Sequence, residues 1–298
     1  MKFIFVVFIL IFTNCSSQNN RLLLNISPIE EPSYVQSVET FKIEYLSDGL
    51  KVKGYIAQPK QLGLYPCIIF NRGGNREFSK LDDKRAAVLL GKLASYGYVV
   101  IASNYRGNDG GDGKEEFGGK DINDVLNLFN VLEEIENADT SRVGMYGWSR
   151  GGMMTYLALT KTNKLKAAVV GGAPSDLTRL EREEMERNVF SELIPNYEAN
   201  KDAELRKRSA VFWVEKFPTN VPVLILHGGA DWRVKASQAL NLAAEFQNHN
   251  IPYRLKIFEG ADHAISQFRD EVDEDVINWF NRFVKNSETL PNTTQKNN

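Results

Sequence analysis

Apolar positions along the chain fall into two rhythms. Short, nearly unbroken apolar runs occupy residues 67–70, 98–102, 143–146, 167–170, 223–226 and 254–258. Runs of this kind mark strands covered on both faces of a sheet. Between them, residues 80–96, 120–136, 235–247 and 271–284 repeat their apolar positions at helical spacing, and Gly97 stops the first. Two further stretches, 41–45 and 50–57, alternate apolar with polar residues around Ser47-Asp48-Gly49, which predicts an antiparallel hairpin. Strand and helix alternate over residues 36–285, so one α/β domain is expected. It has a mostly parallel central sheet, helices on both faces and the hairpin near its N-terminus. No internal repeat is present.

Flanking segments read differently. Residues 16–35 are polar and rich in Asn and Ser, and predict a tether; residues 286–298 predict a disordered polar tail. Residues 177–208 are densely charged, with Arg179, Glu181, Arg182, Glu183, Glu184, Glu186 and Arg187 close together. Two readings stand for this segment: a solvated helical insertion, or a lid over the active-site face. The loop 107–119, with Gly110-Gly111-Asp112-Gly113 at its centre, is expected to be mobile. It lacks the Lys-Ser/Thr ending of a phosphate-binding loop.

Composition narrows the class. A chain of 298 residues, 43% hydrophobic and 25% charged, has the make-up of a globular domain with a large core. A net charge of −2 and the lack of any basic stripe give no reason to expect nucleic acid. Met1-Lys2, the apolar run 3–12 and Thr13-Asn14-Cys15 have the shape of an export signal and are too short to span a bilayer. The placement of Cys15 resembles a bacterial lipoprotein signal, which makes residues 1–15 a leader and Cys15 a lipidated membrane anchor in the cell envelope. Plain secretion is the alternative. Cys67, in an apolar strand pattern, reads as a core residue, so no internal disulfide is expected. No metal-ligand spacing is visible.

The chemistry concentrates in Gly147-Trp148-Ser149-Arg150-Gly151-Gly152. An apolar strand precedes this G-x-S-x-G run and a helical pattern follows it. A strand-to-helix turn that tight holds the serine in strained backbone with its hydroxyl above the sheet edge. The helix N-terminus then faces any oxyanion formed there. A serine nucleophile needs a base, and the chain has three histidines. In this architecture the order is serine, acid, histidine. Asp231, after the strand 223–226, and His263, in the loop after 254–258, satisfy that order, and parallel sheets gather active groups at strand carboxyl ends. Asp262 is the one close rival for the acid. His227 closes a strand and is expected to bond the loop, and His249 to be a solvated helix cap. Ser149 as a mere helix cap is the bland alternative.

These stretches, with His227-Gly228-Gly229-Ala230-Asp231-Trp232-Arg233-Val234, Asn104-Tyr105-Arg106-Gly107 and the loop Gly260 to His263, resemble the catalytic domain of the prolyl oligopeptidase family of serine peptidases. The acylaminoacyl- and dipeptidyl-peptidase branches look most similar. The resemblance implies an α/β-hydrolase fold, no cofactor, and hydrolysis of peptide or ester bonds. Where the family usually carries His-Gly-Gly-Pro, this chain reads Arg72-Gly73-Gly74-Asn75. The glycines remain, so the Gly74 N–H is still available to an oxyanion, alongside the N–H of Arg150. Family members with a β-propeller screen substrates by size, and this chain is expected to present an open site.

The expected mechanism is acyl transfer to Ser149, with His263 as base and then acid, and Asp231 orienting it. Tyr105 and Arg106, at a strand's carboxyl end, and Trp148 are candidates for the substrate pocket. Tyr105 and Arg106 read equally well as a structural loop. Three functions are carried forward: a serine peptidase on small peptides or acylated amino acids, a carboxylesterase on sugar or lipid esters, and a non-catalytic binding protein on a hydrolase scaffold.

Overall fold

The computed structural model describes residues 21–294. The leader, Cys15 and the start of the tether lie outside the described residues. The chain builds one nine-stranded sheet: β1 Leu23–Pro28, β2 Val38–Ser47, β3 Leu50–Pro59, β4 Tyr65–Asn71, β5 Val99–Ser103, β6 Ala138–Trp148, β7 Leu165–Gly171, β8 Val223–Gly228 and β9 Tyr253–Phe258. Their order across the sheet is β1-β2-β3-β5-β4-β6-β7-β8-β9. β1, β2 and β3 pair antiparallel, as does β3 with β5, and every later pairing is parallel. The β2–β3 hairpin turns at Asp48 and Gly49, both with positive φ, as a two-residue turn between twisted strands requires.

Strand residues divide by parity between two cores. Cys67, Ile69, Val99 and Ile101 pack against helices α2 (Ile122–Leu126), α3 (Leu128–Leu132), α4 (Arg150–Leu159) and the helix Ala236–Asn248. Ile68, Phe70, Val100 and Ala102 pack against α1 (Asp83–Ser95) and the helix Arg269–Phe280. Helices therefore cover both faces, which is why the strands read as unbroken apolar runs. Burial pushes the Cys67 thiol up to about 12, as befits a core residue.

Three expectations need correction. The tether does not run through 16–35, because Leu23–Pro28 pair with β2 as an edge strand. Only Leu23 of this strand is buried while Leu24 and Ile26 are exposed, so its apolar residues do not mark a core face; its partners are backbone groups and the Glu134 carboxylate, which accepts from the N–H groups of Leu22 and Leu23. The single helix expected over 120–136 is two short helices meeting at Asn127, whose amide donates to Ser47 Oγ at 3.0 Å. The glycine loop 107–119 is anchored rather than loose: Gly107 N–H donates to Asp112 O, Asp112 N–H to Lys51 O, and Glu115 is buried in an ion pair with Arg150. Residues 286–294 form no helix or strand, though Glu288 pairs with Arg282 and Thr293 Oγ1 donates to Asn250 O.

Candidate active site

The serine elbow is built from backbone collisions that only glycine avoids. Ser149 has φ 56° and ψ −124°, a conformation that costs a non-glycine residue about 1–3 kcal/mol. Its N–H donates to Gly171 O at 2.7 Å, which locks the turn to β7. A Cβ on Gly151 would sit 1.9 Å from Asn71 O, and one on Gly147 would sit 2.1 Å from Gly151 O. Strand β6 and helix α4 can meet so closely only because both positions lack a side chain.

The acid and the base arrive on the loops after β8 and β9. Asp231 Oδ1 accepts from the N–H groups of Arg233 (2.8 Å) and Val234 (3.0 Å). Its Oδ2 meets His263 Nδ1 at 2.7 Å. Burial by itself would raise the Asp231 carboxyl, but hydrogen bonds from His227 and His263 and the Val234 N–H outweigh it and hold the group well below the usual carboxylate range. An ionised Asp231 can only accept, so Nδ1 of His263 carries the proton that bonds it. The His263 backbone is fixed in turn: its carbonyl accepts from Trp148 Nε1 at 3.1 Å, and its ring packs over Gly172. Ser149 and His263 line the same cavity of about 700 Å³, although no hydrogen bond joins the serine hydroxyl to the ring in this conformation. Such bonds often tighten only with substrate bound.

Asp262, the rival acid, caps its own loop instead, accepting from the N–H groups of Ala264 and Ser266. His249 is exposed and bonds Glu245 O at the end of its helix. His227 plays a part beyond the loop bond expected for it. Its Nε2 lies 2.8 Å from Val234 O and 3.4 Å from Asp231 Oδ2, so it braces the acid from below. Among buried polar atoms, His227 Nδ1 has no partner.

Gly74 and Arg150 both line the cavity, and neither N–H has an acceptor among the described residues. A Cβ on Gly73 would lie 3.2 Å from Ser149 Cβ, so the loop after β4 runs directly against the serine. The Arg150 side chain points the other way. It is buried in ion pairs with Glu115 and Asp121, its guanidinium lies 4.7 Å from the Tyr105 ring and 4.8 Å from the Phe117 ring, and Nη1 donates to Gly74 O at 3.2 Å. Burial opposes the charge on Arg150, yet Glu115 and Asp121 raise its affinity for the proton, and the Arg150 charge holds Glu115 below its ordinary value against burial.

Of the three pocket candidates, Trp148 lines the cavity and the other two do not. Tyr105 is fully buried, with its hydroxyl donating to Arg72 O at 2.9 Å. Arg106 is buried against Asp124, pairs also with Asp48, and braces the hairpin turn. Both are structural because the chain turns inward after β5, with Tyr105 at φ 64°, a feature that the residue order does not show. The cavity walls come instead from α1 (Val88, Leu89), the loop after β4 (Phe78) and the charged segment, through Leu177, Leu180, Arg182 and Met185. Among the described residues, no group of three His, Cys, Asp or Glu side chains is placed to hold a metal ion.

A strained serine at a strand–helix elbow, facing an acid-bound histidine across the carboxyl edge of a parallel sheet, defines the α/β-hydrolase class of serine enzyme. The chain belongs to the prolyl oligopeptidase family, whose model matches residues 85–287, and is a serine peptidase by family. It is 30% identical to the uncharacterized peptidase YtmA of Bacillus subtilis over 258 residues, 86% of this chain and 96% of that one. It is 26% identical to dipeptidyl-peptidase 5 of Porphyromonas gingivalis, of which it spans 34%. The acylaminoacyl peptidase of Pyrococcus horikoshii shares the fold, with a TM-score of 0.73 at 24% identity over 87% of this chain and 44% of that one. The last two of these relatives are thus two to three times longer than the part this chain matches.

Proposed function

We propose that this protein hydrolyses short peptides or acylated amino acids through an acyl-enzyme on Ser149. The observation that carries the reading is the Asp231–His263 pair at 2.7 Å, opening with Ser149 onto one cavity. In this mechanism His263 Nε2 takes the serine proton as Oγ attacks the carbonyl carbon. The carbonyl electrons move onto oxygen, which the Gly74 and Arg150 N–H groups receive. His263 then returns the proton to the leaving group, and water repeats the sequence to free the acid. One such N–H donor is typically worth about 3–4 kcal/mol of barrier. Support for peptide substrates comes from the family and from the named activities of relatives. A fluorophosphonate probe tests the nucleophile: it should label the wild type and not Ser149→Ala, and labelling that survives the substitution rules the assignment out.

Ester hydrolysis is the second reading. The apolar walls supplied by Phe78, Val88, Leu89, Leu177 and Leu180 suit an acyl chain as well as a peptide side chain. A panel of peptide amides against acyl esters separates the two by kcat/KM.

Export and lipid anchoring through Cys15 are proposed from the leader pattern alone. No helix of the described residues is long and apolar enough to cross a membrane. Cells fed labelled fatty acid should tag the full-length protein, and Cys15→Ala should abolish the tag. An untagged protein in the soluble fraction favours plain secretion.

A further inference from the structure

Arg72 stands in the oxyanion loop where the resembling family usually carries histidine, and its burial is nearly complete at 2% exposure. A guanidinium offers five N–H donors in a flat fork. All five are used here, and every acceptor is a backbone carbonyl. Nε and Nη2 donate to Asn104 O at 3.3 and 2.9 Å, and Nη2 donates also to Arg76 O at 2.9 Å. Nη1 donates to Gly73 O at 3.1 Å and to Phe78 O at 3.2 Å. One side chain thus gathers the end of β5 and both limbs of the loop that follows β4. Its Cζ lies 5.0 Å from the centre of the Tyr105 ring, and the Tyr105 hydroxyl donates to the Arg72 carbonyl.

Among the described residues no carboxylate forms a direct ion pair with this buried charge, though Glu115 and Glu77 act on it through space. Burial, with the Arg150 charge beside it, pulls Arg72 from its ordinary value to about 10. A buried cation without a counter-ion is costly, and a loop that needed only packing would be served by a neutral residue.

What the fork does can be read from peptide geometry. A trans peptide is planar, so the Gly73 carbonyl and the Gly74 N–H point in opposite directions. With Gly73 O drawn down onto the Arg72 fork, the Gly74 N–H faces away from the guanidinium. The Gly74 carbonyl is held separately by Arg150 Nη1. Both carbonyls that flank the donor are therefore clamped by arginines, and the donor itself has no protein acceptor.

We propose that Arg72 is a positioning residue for the reaction, fixing the Gly73–Gly74 peptide so that its N–H meets the oxyanion. The inference rests on the reading of Ser149 as nucleophile and Gly74 as oxyanion donor. It makes the loop's rigidity, which the family's histidine and proline would otherwise supply, a property of the guanidinium fork.

The test uses Arg72→Met, Arg72→Lys and Arg72→Ala, with Leu128→Ala in the distant core as a destabilised control. Arg72→Met should lower kcat on an ester by about 100-fold, the scale of losing or misplacing one oxyanion donor, with KM little changed. Affinity for a peptide trifluoromethyl ketone, which forms a tetrahedral oxyanion, should fall in step with kcat/KM, while affinity for the product peptide should not. Millimolar guanidinium should restore part of the activity of Arg72→Ala and none to Leu128→Ala. Arg72→Lys keeps the charge without the fork, and should still lose about tenfold or more in kcat. It carries the test if Arg72→Met does not fold. Wild-type kcat in Arg72→Lys, or a trifluoromethyl ketone affinity that stays constant across the set, overturns the proposal. If Ser149→Ala kept wild-type turnover, the underlying reading would fall instead, so the two failures are distinct.

Discussion

In the proposed mechanism Ser149, His263 and Asp231 act as a unit, and single substitutions should show it. Ser149→Ala and His263→Ala are each expected to cost about 10⁴-fold or more in kcat, with little further loss when combined. His249→Ala should cost almost nothing, since its ring only caps a helix. Equal losses in the two histidine variants would show the base to be misassigned. Acid stability follows from the carboxylates. Asp231 and Glu115 both sit below their ordinary values in the folded protein. Their contribution is therefore complete above the unfolded carboxylate range, near pH ~4, and is lost as pH falls through their lower folded values. Thermal unfolding between pH 7 and 2.5 should show a flat Tm down to about pH 5 and a falling one below about pH 4. A Tm that rises on acidification below pH ~4 would contradict this assignment.

Where β6 meets α4, the elements themselves set the geometry. Gly151→Ala brings a Cβ to 1.9 Å from Asn71 O, a backbone atom of β4 that has nowhere to go. Helix α4 must move off the sheet, so probe labelling should be lost and stability should drop by about 1–3 kcal/mol or more in urea unfolding. The Arg150 ion pairs join this helix to Glu115 of the loop 107–119 and to Asp121, which precedes α2. Arg150→Met leaves Glu115 and Asp121 buried without a cation and is expected to cost about 3–5 kcal/mol. A change under about 1 kcal/mol would mean that the network contributes little beyond packing. Replacing Arg150 and both carboxylates together by apolar residues should recover part of the loss.

Across the molecule, the cavity is shared between the hydrolase core and the charged segment. Leu177, Leu180, Arg182 and Met185 line it, while Arg76 of the loop after β4 pairs with Glu192, and Lys114 donates to Glu192 O. Substrate choice should therefore respond to this segment while the chemistry does not. Leu180→Ala and Met185→Ala are predicted to reorder rates across p-nitrophenyl esters of increasing chain length and to leave labelling of Ser149 intact. Each lost contact should shift selectivity by roughly 10–200-fold at most. Turnover of short esters, with slower cleavage of amides, is expected of the wild type. Strict activity on one peptide amide would point to a site closed by a partner chain.

The sequence by itself determined the parallel sheet, the elbow and the order of Ser149, Asp231 and His263. Each of these is written in local features: apolar runs of strand length, glycines that backbone contact demands, and a residue type that has few substitutes in its role. Tertiary structure alone decided the rest. β1 is held by backbone pairing and Glu134, and its exposed Leu24 and Ile26 do not show in sequence which strand it will join. Tyr105 and Arg106 turn inward because φ at Tyr105 is positive, and their partners Arg72 and Asp124 are remote in the chain. Arg72 stands where the resembling family usually carries histidine, and only the fold brings the carbonyls of Asn104, Arg76 and Phe78 to its guanidinium. A residue's role is legible in sequence when local backbone chemistry fixes it, and waits on the fold when its partners come from distant strands.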